Sequence, residues 1–447
     1  MALTILLILR RLPFETPPAA APQDKLAAVS KDAHRPSSTL LSIPLAFANW
    51  LSMSDKPPAP SIRPIVLLSA AAFASSATLR VADPLLPQIA GEFATTAGGA
   101  SVIATAFAVS YGLCQIFVGA LGDRFGKFTV IAVATFLSGL TAASGALATS
   151  LDMLGVLRLL SGATAGAIIP LALAYLGDVV AYERRQTMLA RFLSGQILGV
   201  IFGQVFGGLF GDTIGWRGVF LMLGAIYFLI AALLVVEIRS PRIVEHYSRD
   251  GGALLARNIA LLRLRGVRII IATAFVEAFF FFGGFVYLGA YLRQEFALSY
   301  LAVGTLLAAF GIGGLLYAST VRPLVARLGE RGLALAGGLT LAIAFALAAV
   351  APAPWSIAPL IVAIGAGFYM LHNTLQTNAT QMAPASRGLG ISLFAFCYFL
   401  GQAAGVAACG WAVDAFGYAP VFVGAGAMLL VTALAFRATL AKRAAAS

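Results

Sequence analysis

Long apolar stretches without Asp, Glu, Lys or Arg recur along the chain, at 93–122, 128–151, 159–177, 192–211, 218–236, 296–321, 388–413 and 415–436. A longer one, 332–386, is interrupted at Ala351-Pro-Ala-Pro-Trp355 and has room for two helices. Two more apolar segments, 64–88 and 269–292, are broken by charge. A bilayer core about 30 Å thick takes about 20 residues of helix, so the pattern predicts twelve spans. A membrane β-barrel would instead show segments of about 10 alternating residues, and none is seen.

Composition narrows the reading further. Hydrophobic residues make up 60% of the 447 and charged residues 11%, with a mean hydropathy of +0.92. Soluble chains carry about 25% charge, so a water-soluble enzyme, a disordered protein and an ordinary secreted domain are excluded. The net charge of +12 raises nucleic acid as a partner, but its distribution argues against it. With loops alternating from a cytoplasmic N-terminus, and counting from Met53, 21 Lys and Arg fall inside and only Arg217 and Arg293 outside. That asymmetry sets orientation and predicts both termini in the cytoplasm. The cysteines Cys114, Cys397 and Cys409 lie in apolar segments and read as small core residues, without metal-ligand spacing.

Residues 1–62 differ from the rest. Ala2–Leu9 is too short to span, and Arg10 and Arg11 follow it, the wrong order for a signal peptide. The stretch from Pro17 to Pro36 is rich in Pro and Ala and is expected to be disordered. Translation is expected to start at Met53. The remaining organisation reads as a six-helix half (63–237), a cytoplasmic linker (238–267), a second half (268–437) and a cytoplasmic tail (438–447). The linker has a partly apolar face (Leu254, Leu255, Ile259, Leu261, Leu262) among arginines, as in an interfacial helix; a plain solvated linker is the alternative.

The two halves repeat. Arg124-Phe-Gly126 recurs as Arg327-Leu-Gly329, and Ala181-x-x-x-Arg185 as Ala383-x-x-x-Arg387. Gly195-Gln196-x-x-Gly199 recurs as Gly401-Gln402-x-x-Gly405, and Gly215-Trp216-x-x-Val219-Phe220 as Gly417-Tyr418-x-x-Val421-Phe422. An even number of spans per half makes this a parallel pseudo-repeat, which places a solute near the midplane between halves. The fold class is therefore an all-α membrane protein of 12 transmembrane helices in two six-helix halves.

The segment Gly119-Ala-Leu-Gly-Asp123-Arg124-Phe-Gly126-Lys127 resembles the loop signature GxLxDRxGRK of the major facilitator superfamily (MFS). The second copy is degraded, with Ala326 where Asp123 would stand. Arg80-Val-Ala-Asp83-Pro-Leu-Leu-Pro87, Arg158-x-x-x-Gly162-x-x-x-Gly166 and Asn373-Thr-Leu-Gln-Thr with Pro384-x-x-Arg387 resemble its drug:proton antiporter and sugar-efflux branches. Gly199-x-x-x-Gly203-Gln204-x-x-Gly207-Gly208 is similar to the antiporter motif, with Gln204 in place of its proline. The resemblance implies that the Gly119–Lys127 loop latches the halves on the inside, with Asp123 able to meet the N-terminus of the eleventh span. It also implies that spans one, four, seven and ten line the cavity.

Five ionisable residues fall within spans: Arg80, Asp83, Arg158, Glu277 and His372. Such groups cost about 2.5–3.5 kcal/mol on insertion scales and mark function. Glu277, with no cation on its own helix, is expected to exchange the proton. Asp83 and Arg158, both in the outer half, are expected to form a gating ion pair. Arg80 is a competing partner one helical turn from Asp83, and a purely structural trio is the alternative. Tyr111, Gln115, Gln196, His372, Asn373, Gln376, Tyr398 and Gln402 are expected to line the solute cavity, with aromatic surface from Phe279–Phe282 and Tyr287. HExxH, GxSxG and P-loop motifs are absent, so the chain is not read as an enzyme or a nucleotide-driven pump. The expected function is alternating-access transport of a small organic solute across the inner membrane. Proton-coupled efflux is the leading mode, and uptake by symport or uniport is the alternative. The proton gradient supplies the energy without a cofactor, the bilayer and the solute are the partners, and the protein is expected to act as a monomer.

Overall fold

The computed structural model describes residues 62–180, 182–240, 243, 247 and 254–446. The N-terminal extension and the expected start at Met53 lie outside these residues. The described residues form an all-helical bundle. Its first element, α1 (Ile62–Arg80), ends where Pro84 and Pro87 follow. A 3-10 turn (Asp83–Leu85) then leads into α2 (Leu86–Glu92). Next come α3 (Ala97–Ala100), α4 (Val102–Phe125), α5 (Lys127–Gly145), α6 (Leu151–Ala165), α7 (Ile168–Val179), α8 (Tyr182–Thr213) and α9 (Gly215–Ile238). A short α10 (Leu254–Leu262) precedes α11 (Arg265–Phe285), α12 (Leu288–Phe296), α13 (Tyr300–Ala349), α14 (Pro354–Gln381), α15 (Arg387–Phe416) and α16 (Tyr418–Ala446).

Among the described residues, eleven helical segments are long and apolar enough to cross a membrane. One of them, α13, has 50 residues, about 75 Å at 1.5 Å per residue, more than twice a bilayer core. It breaks at Gly329 (φ 62°, ψ 178°), a left-handed φ that glycine adopts without steric cost. Gly126, Gly215 and Gly417 also have positive φ and stand at the joints α4–α5, α8–α9 and α15–α16. These are the repeated sequence positions, so the recurring glycines are the places where the chain turns.

Within residues 62–238, α8 packs along α1, α5 along α9 and α4 on α6. Within 265–446, α13 packs on α14 and α16, and α11 on α15. The two sets are joined by α8 against α13 and α4 against α15. Large apolar side chains also cover the outside, among them Phe117, Leu147, Val236, Val350, Trp355 and Trp411, an apolar skin suited to lipid. Ile259 and Leu262 of α10 are likewise exposed. The three cysteines are half-buried and not joined in disulfides.

Candidate functional site

The buried charges begin where α1 ends. Arg80 and Asp83 are one turn apart and form an ion pair at 3.5 Å, both almost fully buried. The Arg80 guanidinium also lies over the Phe282 ring of α11, 4.3 Å from its centroid, a cation–π contact. The Gln204 carboxamide, fully buried on α8, approaches the Asp83 carboxylate. Its nitrogen and oxygen make no hydrogen bond.

Arg158 is placed differently from expectation. Its Nε donates to the Ile103 carbonyl at 3.3 Å and its Nη2 to the Thr78 carbonyl at 3.2 Å. Its guanidinium sits 4.2 Å from the Phe107 ring centroid. The expected Asp83–Arg158 ion pair is therefore not formed. Asp83 takes Arg80, which the 3-10 turn brings beside it, while Arg158 holds α6 to the backbone of α1 and α4.

Glu277 is completely buried on α11, and its Oε2 lies 3.0 Å from Nδ1 of His372 on α14. The other carboxylate oxygen, Oε1, has no hydrogen-bond partner. The imidazole is stacked on Phe368, with centroids 4.9 Å apart and planes 10° apart, and meets Tyr398 at 4.7 Å. Tyr398 in turn meets Phe282 edge-on at 5.7 Å, and it lies within electrostatic reach of both Glu277 and Arg80. Phe282 and Tyr398 thus form an aromatic bridge between the Arg80–Asp83 and Glu277–His372 pairs. The arrangement draws on α1, α11, α14 and α15. Each of the two polar pairs keeps a carboxylate oxygen without a hydrogen-bond partner, Oδ2 of Asp83 and Oε1 of Glu277, on either side of that aromatic bridge.

The other expected cavity residues divide. Tyr111 packs against Phe399, with ring centroids 4.4 Å apart and planes tilted by 43°. Gln115 donates to the Gly166 carbonyl at 3.1 Å, so its amide is committed to helix packing. Gln402 is buried and its Oε1 lacks a partner, as does Nε2 of the half-buried Gln196. Asn373 is half-buried and interacts with Tyr317. Gln376 is exposed, one turn beyond His372 on α14, so it stands apart from the buried pairs. Among the aromatics, Phe281 packs in the core against Phe368 and Phe285, and Tyr287 donates to the Val406 carbonyl at 2.6 Å. Of these, Phe282 is the ring that faces the buried charge.

At the joint between α4 and α5, Asp123 in the last turn of α4 pairs with Lys127, the first residue of α5, at 3.2 Å and not with α15. Lys127 reaches on to Asp178 at the end of α7, at 2.7 Å. Gly119 faces open space, Gly126 makes the turn, and the Arg124 guanidinium lies over Phe125. The expected contact to the eleventh span is replaced because Lys127, one turn away, satisfies Asp123 locally. Asp178 and Gln204 had no role in the sequence reading. Asp178 carries no motif, and Gln204 registered only as a departure from one.

Residues 68–406 match the family model of the Major Facilitator Superfamily. The chain is 28% identical over 368 residues to the uncharacterized MFS-type transporter YwfA of Bacillus subtilis, covering 79% of this chain and 86% of that protein. It is 26% identical over 342 residues to a chloramphenicol resistance protein of Streptomyces lividans, covering 76% and 87%. A shorter match, 28% over 200 residues, is to the multidrug export protein EmrB of Haemophilus influenzae, covering 44% and 39%. The nucleoside transporter NupG has a similar structure, with a TM-score of 0.71 at 14% identity, covering 84% of this chain and 99% of that one. A bacterial homologue of the lysosomal transporter Spinster, inward-facing and occupied, gives 0.65 at 18% identity, covering 85% and 96%.

Proposed function

Because the chain belongs to the Major Facilitator Superfamily, we propose that it is a secondary transporter exporting a small organic solute in exchange for protons. Glu277 and His372 are its proton-exchanging pair. The observation that carries this is their contact at 3.0 Å, with Glu277 completely buried and the His372 side chain 12% exposed. A carboxylate and an imidazole at that distance share one exchangeable proton, and an ionisable group inside a membrane is functional by default. Solute in the aromatic enclosure meets Oε1 of Glu277, which lacks a partner. Protonation removes that acceptor's charge and weakens the hold on the solute. The names of two relatives, a multidrug export protein and a chloramphenicol resistance protein, support the outward direction.

On this reading α13 crosses twice, giving twelve spans in two halves, 63–237 and 268–437. Both termini are cytoplasmic, as the arginine distribution requires, and the membrane is the inner one. The moderately apolar lining suits an uncharged or weakly polar solute.

The test uses proteoliposomes loaded with a pH-sensitive dye and a solute drawn from a resistance screen of a deletion strain. Solute entry should move protons out of the lumen. In Glu277→Gln that coupling should disappear while solute counterflow persists. Lumen acidification with solute entry would indicate symport instead. Undiminished coupled flux in Glu277→Gln would overturn the assignment.

A further inference from the structure

At the end of the bundle opposite the start of α1 and the end of α16, two aspartates reach from one set of helices to the other. Asp212, at the end of α8, accepts from the Tyr300 and Leu301 backbone N–H groups of α13 at 2.9 and 2.7 Å, one through each oxygen. Asp414, near the end of α15, accepts from the Thr96 hydroxyl at 2.6 Å and the Gly98 N–H at 3.2 Å, again one through each oxygen. Thr96 and Gly98 open the helical segment leading into α4. Each carboxylate therefore caps the start of a helix it does not belong to, where free N–H groups and the helix dipole favour an anion.

The two sites are copies in sequence. Asp212-Thr-Ile-Gly215-Trp216 and Asp414-Ala-Phe-Gly417-Tyr418 are offset by 202 positions, each aspartate standing three residues before its turning glycine. The contacts run in opposite senses, from the first half onto the second and from the second onto the first. Close backbone approach accompanies both. A Cβ on Gly208 would collide with the Tyr300 carbonyl, and one on Gly98 with the Gly410 carbonyl. Both aspartates are exposed, so water can replace the partners when the contacts part.

We propose that Asp212 and Asp414 are a matched pair of latches that hold this end of the bundle shut and must release together for it to open. The inference rests on the two-half reading above. On the proposed orientation this is the outer end. Releasing one latch leaves the other as a pivot, so loss of both should have the larger effect.

Nitroxides at Leu147→Cys and Val350→Cys, in a protein with Cys114, Cys397 and Cys409 changed to Ala, report the opening. Both positions are strongly exposed at this end, on opposite sets of helices. Electron–electron distance measurements should show a long-distance population that rises at least threefold in Asp212→Ala or Asp414→Ala. The rise should be larger in the double variant and absent in Asp152→Ala, which removes an acid in the first turn of α6. Should the alanine variants fail to fold, Asp212→Asn with Asp414→Asn keeps the shape and must shift the population the same way. An unchanged distribution in the folded double variant overturns the latch. The readout needs neither solute nor proton, so it stands or falls separately from the Glu277 flux assay.

Discussion

Glu277 and His372 lie 95 residues apart in sequence and 3.0 Å apart in the structure, on helices α11 and α14. Each supplies what the other lacks: the nearest cation on the carboxylate's own helix, Arg268, is nine residues away, and the imidazole is otherwise walled by Phe368, Phe394 and Tyr398.

Removing one partner of that pair should be worse than removing both. Breaking a buried pair typically costs about 3–5 kcal/mol, whereas an apolar replacement of similar volume is often neutral. His372→Phe is expected to lower thermal stability in detergent markedly, and Glu277→Leu with His372→Phe to recover most of it. Thermal unfolding of the three proteins checks this, and an additive double variant would contradict it.

The charge partners of Asp83 are separable by double-mutant cycles. Coupling between contacting groups runs at about 0.5–3 kcal/mol. Asp83 with Arg80, in contact at 3.5 Å, should couple more strongly than Asp83 with Arg158. Arg158→Gln alone should be destabilising, since it gives up charge-assisted bonds to the Ile103 and Thr78 carbonyls, each worth about 1.5–3 kcal/mol. Unfolding midpoints for the Arg80→Gln, Arg158→Gln and Asp83→Asn set decide the order.

Helix α8 approaches α1 through glycine. A Cβ on Gly203 would meet the Ala77 carbonyl oxygen at 2.5 Å, too close without moving the backbone. Gly203→Ala should cost about 1–3 kcal/mol, as overpacking does. Gly424→Ala, which faces open space on α16, should be neutral or stabilising by up to about 1 kcal/mol. Thermal unfolding should separate the two.

Lys127 binds Asp123 and Asp178 at a solvated end of the bundle, where the Asp123 side chain is 48% exposed. Exposed pairs contribute about 0–1 kcal/mol, so Lys127→Gln should leave folding nearly unchanged and lose what effect it has in high salt. A large loss of stability, measured across a salt series, would show that the triad carries more than surface charge.

The spans and their turns were legible in the chain because hydrophobic length and repeated glycines are local signals. Gly126, Gly215, Gly329 and Gly417 mark the turns in both sequence and structure. The buried charges were legible too, since each interrupts an apolar run. Their partners were not. The spacing rule found Arg80 beside Asp83, but ranked it below Arg158, because depth alone does not reveal that Arg158 finds backbone carbonyls first. The aspartate caps at 212 and 414 stood in the repeat, yet only the packing of α8 on α13 and of α4 on α15 gives them N–H groups to hold.

The chain alone determined that this protein must live in a bilayer, cross it many times and bury a handful of ionisable groups, since apolar run length and the cost of charge in hydrocarbon depend on residue type and order. Tertiary structure decided which of those groups touch. A contact between distant helices depends on their relative rotation and height, which no short stretch of sequence encodes.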